Sequence, residues 1–127
     1  MSVKKGSDLE LNGQWVVALC FDAAITLRTN AGTELKIETT CSLKTHERAH
    51  VIDPTNLGDS CVVLLEQLNQ SIATSHTSDA GDLVVRFSKG SELTVSPDDY
   101  FEAWTLNEPN GRLVVCLPGG GLTVWGG

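Results

Sequence analysis

The chain has 127 residues, a formal net charge of −7 and an isoelectric point near 4.7. This length is typical of one domain with its own core, and a hydrophobic content of 41% excludes a disordered chain. The negative charge repels phosphate backbones, which argues against sequence-independent binding to nucleic acid and favours a basic protein as partner.

A pattern of alternating apolar residues, a glycine-bearing turn and a second alternating run occurs three times. The copies are Leu27 to Glu38, Val85 to Ser96 and Leu113 to Trp125. The first two match without a gap, because Gly32-Thr33-Glu34-Leu35 answers Gly90-Ser91-Glu92-Leu93. Each copy predicts an antiparallel β-hairpin with one face in the core and one in water.

Further strands are predicted over Trp15 to Phe21, Ile72 to Thr77 and Tyr100 to Leu106, whereas the polar stretch from Lys44 to Asn56 predicts a loop. One helix is predicted after Asp59-Ser60. Its apolar face has helical spacing and consists of Cys61, Leu64, Leu65 and Leu68. The fold class is therefore mostly β with one helix. We expect residues 1–127 to form a single domain, a twisted antiparallel sheet, sandwich or partly open barrel built from repeated hairpins.

The segment composition predicts a soluble, cytoplasmic protein. The first residues carry two lysines but no apolar run behind them, so they do not resemble a signal peptide. The longest apolar runs, such as Cys61 to Leu65, are too short to span a membrane. Cys20, Cys61 and Cys116 lie among apolar residues and are predicted to be buried free thiols, while Cys41 has more polar neighbours.

The end of the chain carries the combination Tyr100-Phe101-Glu102-Ala103-Trp104, Pro118-Gly119-Gly120 and Val124-Trp125. Together with Leu35-Lys36-Ile37-Glu38 near the front, it resembles a family of small uncharacterised β-rich domains common in actinobacteria. The resemblance covers most of the chain outside the stretch from Lys44 to Asn56. It implies the fold and brings no established activity.

His46-Glu47-Arg48-Ala49-His50 is a literal H-E-x-x-H motif. On a helix, His46 and His50 could share a zinc ion, and Glu47 could act as the general base of a hydrolase. The flanking residues, however, give almost no apolar helical face. A solvated polar loop is therefore the preferred interpretation, and we expect no cofactor.

Glu102 lies between aromatic residues, and Arg86 projects from a neighbouring predicted strand. This arrangement favours a structural ion pair, with a small-ligand pocket around Glu102, Trp104 and Arg86 as the alternative.

Acidic residues recur at or beside matched positions of the repeats, namely Glu34, Glu38, Glu92, Asp98 and Asp99. Their simplest interpretation is a solvated sheet face. The leading functional hypothesis is a protein-binding module without enzymatic activity, such as an immunity or antitoxin-like protein that occludes a basic effector. The alternatives are the small-ligand binder, the zinc hydrolase, and a structural domain that forms homo-oligomers through open sheet edges.

Overall fold

The computed structural model of this chain describes residues 2–4 and 9–126. Within these residues the strands and the helix follow one another as β1 (Ser2–Lys4), β2 (Val16–Phe21), β3 (Ile25–Thr29), β4 (Glu34–Ile37), β5 (Cys41–Lys44), β6 (Ala49–Ile52), α1 (Ser60–Leu65), β7 (Ile72–Thr77), β8 (Leu83–Phe87), β9 (Glu92–Val95), β10 (Trp104–Asn107), β11 (Leu113–Cys116) and β12 (Leu122–Trp125).

The strands form two antiparallel sheets that enclose one apolar core. The larger sheet has the order β1-β12-β11-β10-β4-β3-β2, and the smaller sheet has the order β6-β5-β9-β8-β7. Fully buried side chains from both sheets, such as Ile37 and Leu93, belong to the same hydrophobic cluster. The predicted mostly β fold with a sandwich arrangement is confirmed.

The three repeats form the hairpins β3–β4, β8–β9 and β11–β12. Alternation sets their faces, because Leu27 and Leu35 lie opposite each other in the core while Arg28 pairs with Glu34 on the outer face. The first two copies lie in different sheets. Each repeat is therefore a local unit, and the sandwich brings two of them face to face.

The two sheets exchange hairpins. After β4 the chain crosses to the smaller sheet, where β5 pairs with β9, and after β9 it crosses back, where β10 pairs with β4. The backbone bonds between β2 and β7 are reciprocal. Val16 N–H donates to Gln70 O at 3.0 Å, and Ile72 N–H donates to Gln14 O at 2.7 Å. We call residues 9–52 the first half and residues 60–116 the second half.

The two halves differ at one edge of the sandwich. In the larger sheet, β12 pairs with the outer edge of β11, and β1 pairs with β12. In the smaller sheet, β6 takes the place that β11 occupies, and no strand of residues 2–4 or 9–126 lies beyond it. Strands β1 and β12 of the larger sheet thus have no equivalent among the described strands of the smaller sheet.

The prediction of a loop from Lys44 to Asn56 is wrong, because β5 and β6 form a hairpin there. Strand alternation is present but hard to recognise in the sequence. Ile52 faces the core and Val51 is exposed, but the inward position opposite Leu43 is held by a histidine, His50. A polar residue at an inward position hides the period of two.

The helix is shorter than predicted, and its predicted apolar face is only partly confirmed. It ends at Leu65, where the side chain is 45% exposed instead of buried. Leu64 is buried as predicted, Cys61 is half-buried, and Leu68 packs against the core just beyond the helix. Asp59 occupies the N-cap position, but its side chain makes no capping hydrogen bond.

The cysteine prediction is also partly wrong. Cys116 is buried as predicted and Cys61 is half-buried, but Cys20 is exposed and Cys41 is buried. Cys41 faces inward from β5 directly opposite Ile52, which explains its burial despite polar sequence neighbours. Across the described part of the chain, no helix combines the length and the hydropathy of a membrane span.

Candidate functional site

Residues 98–102, between β9 and β10, form an exposed loop that we call the Asp98 loop. The predicted strand from Tyr100 to Leu106 is wrong in its first part, since β10 begins only at Trp104. The reason is a side-chain turn. Asp98 Oδ1 accepts hydrogen bonds from the backbone N–H of Tyr100 at 2.8 Å and of Phe101 at 3.2 Å, which takes these donors away from strand pairing.

The Asp98 loop is anchored to its neighbours at three points. The Thr39 hydroxyl donates to Asp98 Oδ2 at 3.4 Å, and Gly119 N–H donates to Asp98 O at 2.9 Å. At the end of the loop, Glu38 N–H donates to Ala103 O at 2.9 Å. These bonds connect the loop to the β4–β5 link and to the β11–β12 turn, so its backbone is held in place before any partner arrives.

Two aromatic rings project from this anchored loop. Tyr100 is 83% exposed and Phe101 is 67% exposed, whereas Ala103 and Trp104 immediately after the loop are fully buried. Two adjacent rings that are exposed to water do not contribute to the hydrophobic core. Exposed apolar patches often mark interaction sites, and aromatic residues are enriched at protein interfaces.

Carboxylates surround the two rings. Asp99 and Glu102 are exposed within the loop, and Glu38 is exposed on the anchoring segment. The ammonium of Lys36 lies 3.9 Å from Glu38 Oε1, and both side chains are well exposed, so this ion pair neutralises little. The surface of the Asp98 loop is therefore aromatic and negatively charged.

The structure brings together three of the five acidic residues that the sequence singled out. Glu38, Asp98 and Asp99 lie at or beside the loop. Glu34 projects from the outer face of β4, and Glu92 projects from the outer face of β9 in the other sheet. Glu92 Oε2 is 2.6 Å from Arg86 Nη2, so its charge is paired.

The alternative pocket residues Glu102, Trp104 and Arg86 are not brought together. Trp104 is fully buried, and its indole Nε1–H donates to Gly81 O at 3.2 Å. Glu102 lies on the exposed loop, and Arg86 projects outward from β8 towards Glu92. The ion pair that Arg86 forms is with Glu92 and does not involve Glu102.

The H-E-x-x-H motif spans the β5–β6 hairpin. His46 lies in the turn, where its ring Nε2 is 2.9 Å from Lys89 O, and His50 lies on β6. The helix that would place both imidazoles one turn apart is absent at these described positions. Among the residues that the structure describes, no group of three or more His, Cys, Asp and Glu side chains is arranged to hold a metal ion.

Three titratable groups have clearly shifted pKa values. Hydrogen bonds from the backbone N–H and the hydroxyl of Thr55 lower the pKa of the exposed Asp53. Burial raises the pKa of the Cys41 and Cys116 thiols to about 11 each. These shifts move all three groups away from neutral pH.

A model of a protein family of unknown function, DUF6188, matches residues 7–126. The chain belongs to this family. The match covers both halves and β12, so the exchanged hairpins and the Asp98 loop of this DUF6188 member lie within the family domain. No curated protein and no solved structure matches the chain.

Sequence reasoning missed the exposure of Tyr100 and Phe101. The sequence Pro97-Asp98-Asp99 indicates this turn. An aspartate side chain can accept hydrogen bonds from the backbone N–H groups two and three residues further along the chain, which favours a turn over a strand. It also missed two buried glutamines, Gln67 and Gln70, near α1. Nothing in their local sequence distinguishes them from surface residues.

Proposed function

We propose that this DUF6188 domain is a protein-binding module that uses the Asp98 loop to recognise a basic protein. The observation that carries this proposal is the pair of exposed rings, Tyr100 and Phe101, on a loop anchored at three points. Aromatic side chains supply most of the binding energy at interface centres, and a fixed backbone reduces the entropy cost of binding.

The charge of the loop selects the chemistry of the partner. Glu38, Asp99 and Glu102 are exposed around the rings, and the whole chain carries a net charge of −7. Such a surface attracts a basic partner, speeds its encounter and repels acidic competitors. A cationic cleft of an effector enzyme is a suitable target, so an immunity or antitoxin-like role in the cytoplasm is the specific form of the proposal. In this role the domain acts by occlusion and has no catalytic activity.

The test compares partner capture by the wild-type domain and by the double variant Tyr100→Ala/Phe101→Ala. Both side chains are exposed, so we expect the variant to fold with unchanged circular dichroism. A basic protein that is captured from lysate of the source organism at low salt by the wild type should be lost with the variant. Equal capture by both proteins, or capture of acidic proteins alone, would overturn the proposal.

A second experiment separates the loop from the rest of the acidic surface. With the captured partner purified, Glu102→Lys should slow association and weaken its salt dependence. Glu34→Lys is the matched control, because Glu34 is exposed on the outer face of β4 away from the loop. If the control slows association as much as the loop variant does, the contribution is that of net charge and the loop has no special role.

A further inference from the structure

A second surface of the molecule, separate from the Asp98 loop, has the properties of a binding site. It is an open cleft of about 860 Å³ between α1, the β5–β6 turn and the β8–β9 turn. Ser91, just before β9, lines this cleft, whereas the Asp98 loop follows the other end of β9. The two surfaces therefore lie at opposite ends of the same strand, and variants of one leave the other intact.

The cleft has a counterpart in the first half of the chain. A smaller cavity of about 320 Å³ lies between residues 9–14, the β3–β4 turn and the β10–β11 turn. The packing of the turns is equivalent in both places. A Cβ added to Gly32 would lie 3.2 Å from the Pro109 ring, and one added to Gly90 would lie 2.8 Å from the His46 ring. The two halves can thus be compared position by position.

An apolar residue in the first cavity is replaced by glutamine in the second. Gln14 N–H donates to Leu11 O at 3.1 Å, and Gln70 N–H donates to Gln67 O at 3.1 Å, so Gln67 takes the place of Leu11. Both are 3% exposed. A position that the fold fills with leucine in one half holds a buried amide in the other.

A hydrogen-bond partner is also lost. In the first half, the Thr29 hydroxyl donates to Gln14 Oε1 at 2.6 Å. In the second half, the equivalent of Gln14 is Gln70, and the equivalent of Thr29 is the apolar Phe87. The position that donates a hydrogen bond to Gln14 therefore has no hydroxyl in the second half.

Both glutamines of the second half keep an acceptor without a donor. The side-chain amides of Gln67 and Gln70 donate through Nε2 to Val63 O at 3.0 Å and to Glu66 O at 3.1 Å. These carbonyls fix which atom of each amide is nitrogen. Within residues 2–4 and 9–126 the Oε1 atoms have no hydrogen-bond partner, although the two residues are 3% and 9% exposed and line the cleft. Buried acceptors without donors are rare and costly in folded proteins.

The walls of the cleft carry both signs of charge. Lys89 lies on the β8–β9 turn and Glu66 follows α1, and within residues 2–4 and 9–126 neither side chain forms an ion pair. His50, on β6, is half-buried at the position that the buried Val114 holds on the equivalent strand β11. Val63 supplies an apolar wall. A ligand that fits these groups is a small molecule that carries N–H donors, one positive charge and one negative charge.

We propose that the cleft binds a free amino acid, whose ammonium N–H groups donate to Gln67 Oε1 and Gln70 Oε1 and whose carboxylate is neutralised by Lys89. The ammonium supplies the donors that the two buried amides lack, and Glu66 balances its charge. Such a ligand is small enough for the cleft. Because the two oxygens are shut off from water in the free protein, the glutamine side chains must rotate towards the cleft to accept its hydrogen bonds.

The test is a titration of ¹⁵N-labelled protein with each of the common L-amino acids, followed through the side-chain amide signals of Gln67 and Gln70. We expect at least one amino acid to shift both signals in a saturable way. Its matching amine without a carboxylate and its matching carboxylic acid without an amine should each bind at least about tenfold more weakly. If no amino acid shifts these signals, or if either truncated probe binds equally well, the proposal is overturned.

Matched variants keep the result independent of folding defects. Gln67→Leu copies the residue of the first half, so it should fold and lose at least about tenfold in affinity. Gln14→Leu removes, from the other cavity, the amide that is equivalent to Gln70. This variant should bind the amino acid with unchanged affinity. Binding that survives in Gln67→Leu, or that is lost equally in Gln14→Leu, would contradict the assignment of the site.

Discussion

The two halves of the chain carry equivalent hairpins and reciprocal backbone bonds, yet they treat the same buried positions differently. The first half encloses Leu11 and satisfies Gln14 with the Thr29 hydroxyl. The second half encloses Gln67 and, within the described residues, leaves the oxygens of Gln67 and Gln70 without donors. Because the first half has leucine at the position of Gln67, the buried amide of Gln67 is not a requirement of the fold.

The segments that lead into the equivalent strands differ as well. In the first half, residues 9–11 run beside β7, with Leu9 N–H donating to Ser75 O at 3.1 Å. In the second half, helix α1 precedes the equivalent strand. Beside the non-helical segment lies a cavity of about 320 Å³, whereas beside the helix lies a cleft of about 860 Å³. A change in one lead-in segment is therefore associated with an open site.

The largest effect is expected at the contact between the β7–β8 turn and the β11–β12 turn, because the first half has no equivalent of β12. Gly81 has φ +98°, and a Cβ there would clash with the carbonyl of Gly120 in the β11–β12 turn. In the shorter β2–β3 turn of the first half, Ala23 adopts a positive φ of 68°. We expect Gly81→Ala to lower the free energy of unfolding by about 3 kcal/mol or more, measured by urea denaturation.

Ala23→Gly is the control for this comparison. It relieves the positive φ at the equivalent turn and adds chain entropy to the unfolded state, so the two effects nearly cancel. A Gly81→Ala variant that is as stable as the control would show that the contact between the two turns contributes nothing.

The next effect has the opposite sign. Gln67→Leu replaces an unsatisfied buried amide by the residue that the first half uses. We expect it to raise the free energy of unfolding by about 2 kcal/mol, because removing the desolvation cost of the unpaired oxygen outweighs the loss of the hydrogen bond from Gln67 Nε2 to Val63 O. Thermal unfolding in the absence of ligand measures this change, and a lower midpoint would mean that the glutamine stabilises the fold.

Removing a donor from the first half should make it resemble the second. Thr29→Val keeps the shape of the buried side chain but leaves Gln14 Oε1 unpaired. We expect a loss of about 1 to 1.5 kcal/mol in urea denaturation. No loss of stability would indicate that Gln14 rotates to another donor, and the contrast between the halves would then be smaller than the hydrogen bonds suggest.

The smallest effect concerns pH and distinguishes the two sheets. Burial raises the pKa of the Cys41 thiol from 9.0 to about 11, and Cys41 lies in the smaller sheet while Cys116 lies in the larger. A raised thiol pKa contributes stability that is fully present below the unfolded value, and this stability is lost progressively as the pH rises from the unfolded value through the folded value. Between pH 9 and 10 the Cys41 thiol should therefore lower the free energy of unfolding by about 1 kcal/mol.

Cys41→Ala should remove this contribution of the smaller sheet, whatever the change in its stability at neutral pH. The measurement is the free energy of unfolding of both proteins at pH 8, 9 and 10, where lysine and tyrosine titration is common to both. Parallel curves for wild type and variant would show that the Cys41 thiol does not stay neutral in the folded protein.

Local features of the fold were predictable from the sequence, and long-range features were not. The hairpins β3–β4 and β8–β9 follow from alternation and a central glycine turn. Their placement in different sheets depends on the pairing of β4 with β10 and of β5 with β9, which no local pattern encodes. The hairpin β5–β6 was missed because His50 occupies an inward position, where alternation predicts an apolar residue.

The candidate sites show the same division. The acidic character around Asp98 and Asp99 was evident from composition, but the exposure of Phe101 depends on a side-chain turn that competes with the strand. The importance of Gln67 becomes visible only when it is aligned with Leu11, because their carbonyls accept equivalent hydrogen bonds from Gln70 N–H and Gln14 N–H. An unsatisfied buried acceptor is a property of tertiary structure, so the sequence alone carries no signal for it.

The exchange of hairpins also determines how the molecule can fold. Neither half contains a complete sheet, because β5 pairs with β9 of the second half and β10 pairs with β4 of the first. Since these distant pairings form together, the domain should unfold in one cooperative step. A cut in the link between β6 and α1 would give two fragments that are unstructured alone and fold only by complementing each other.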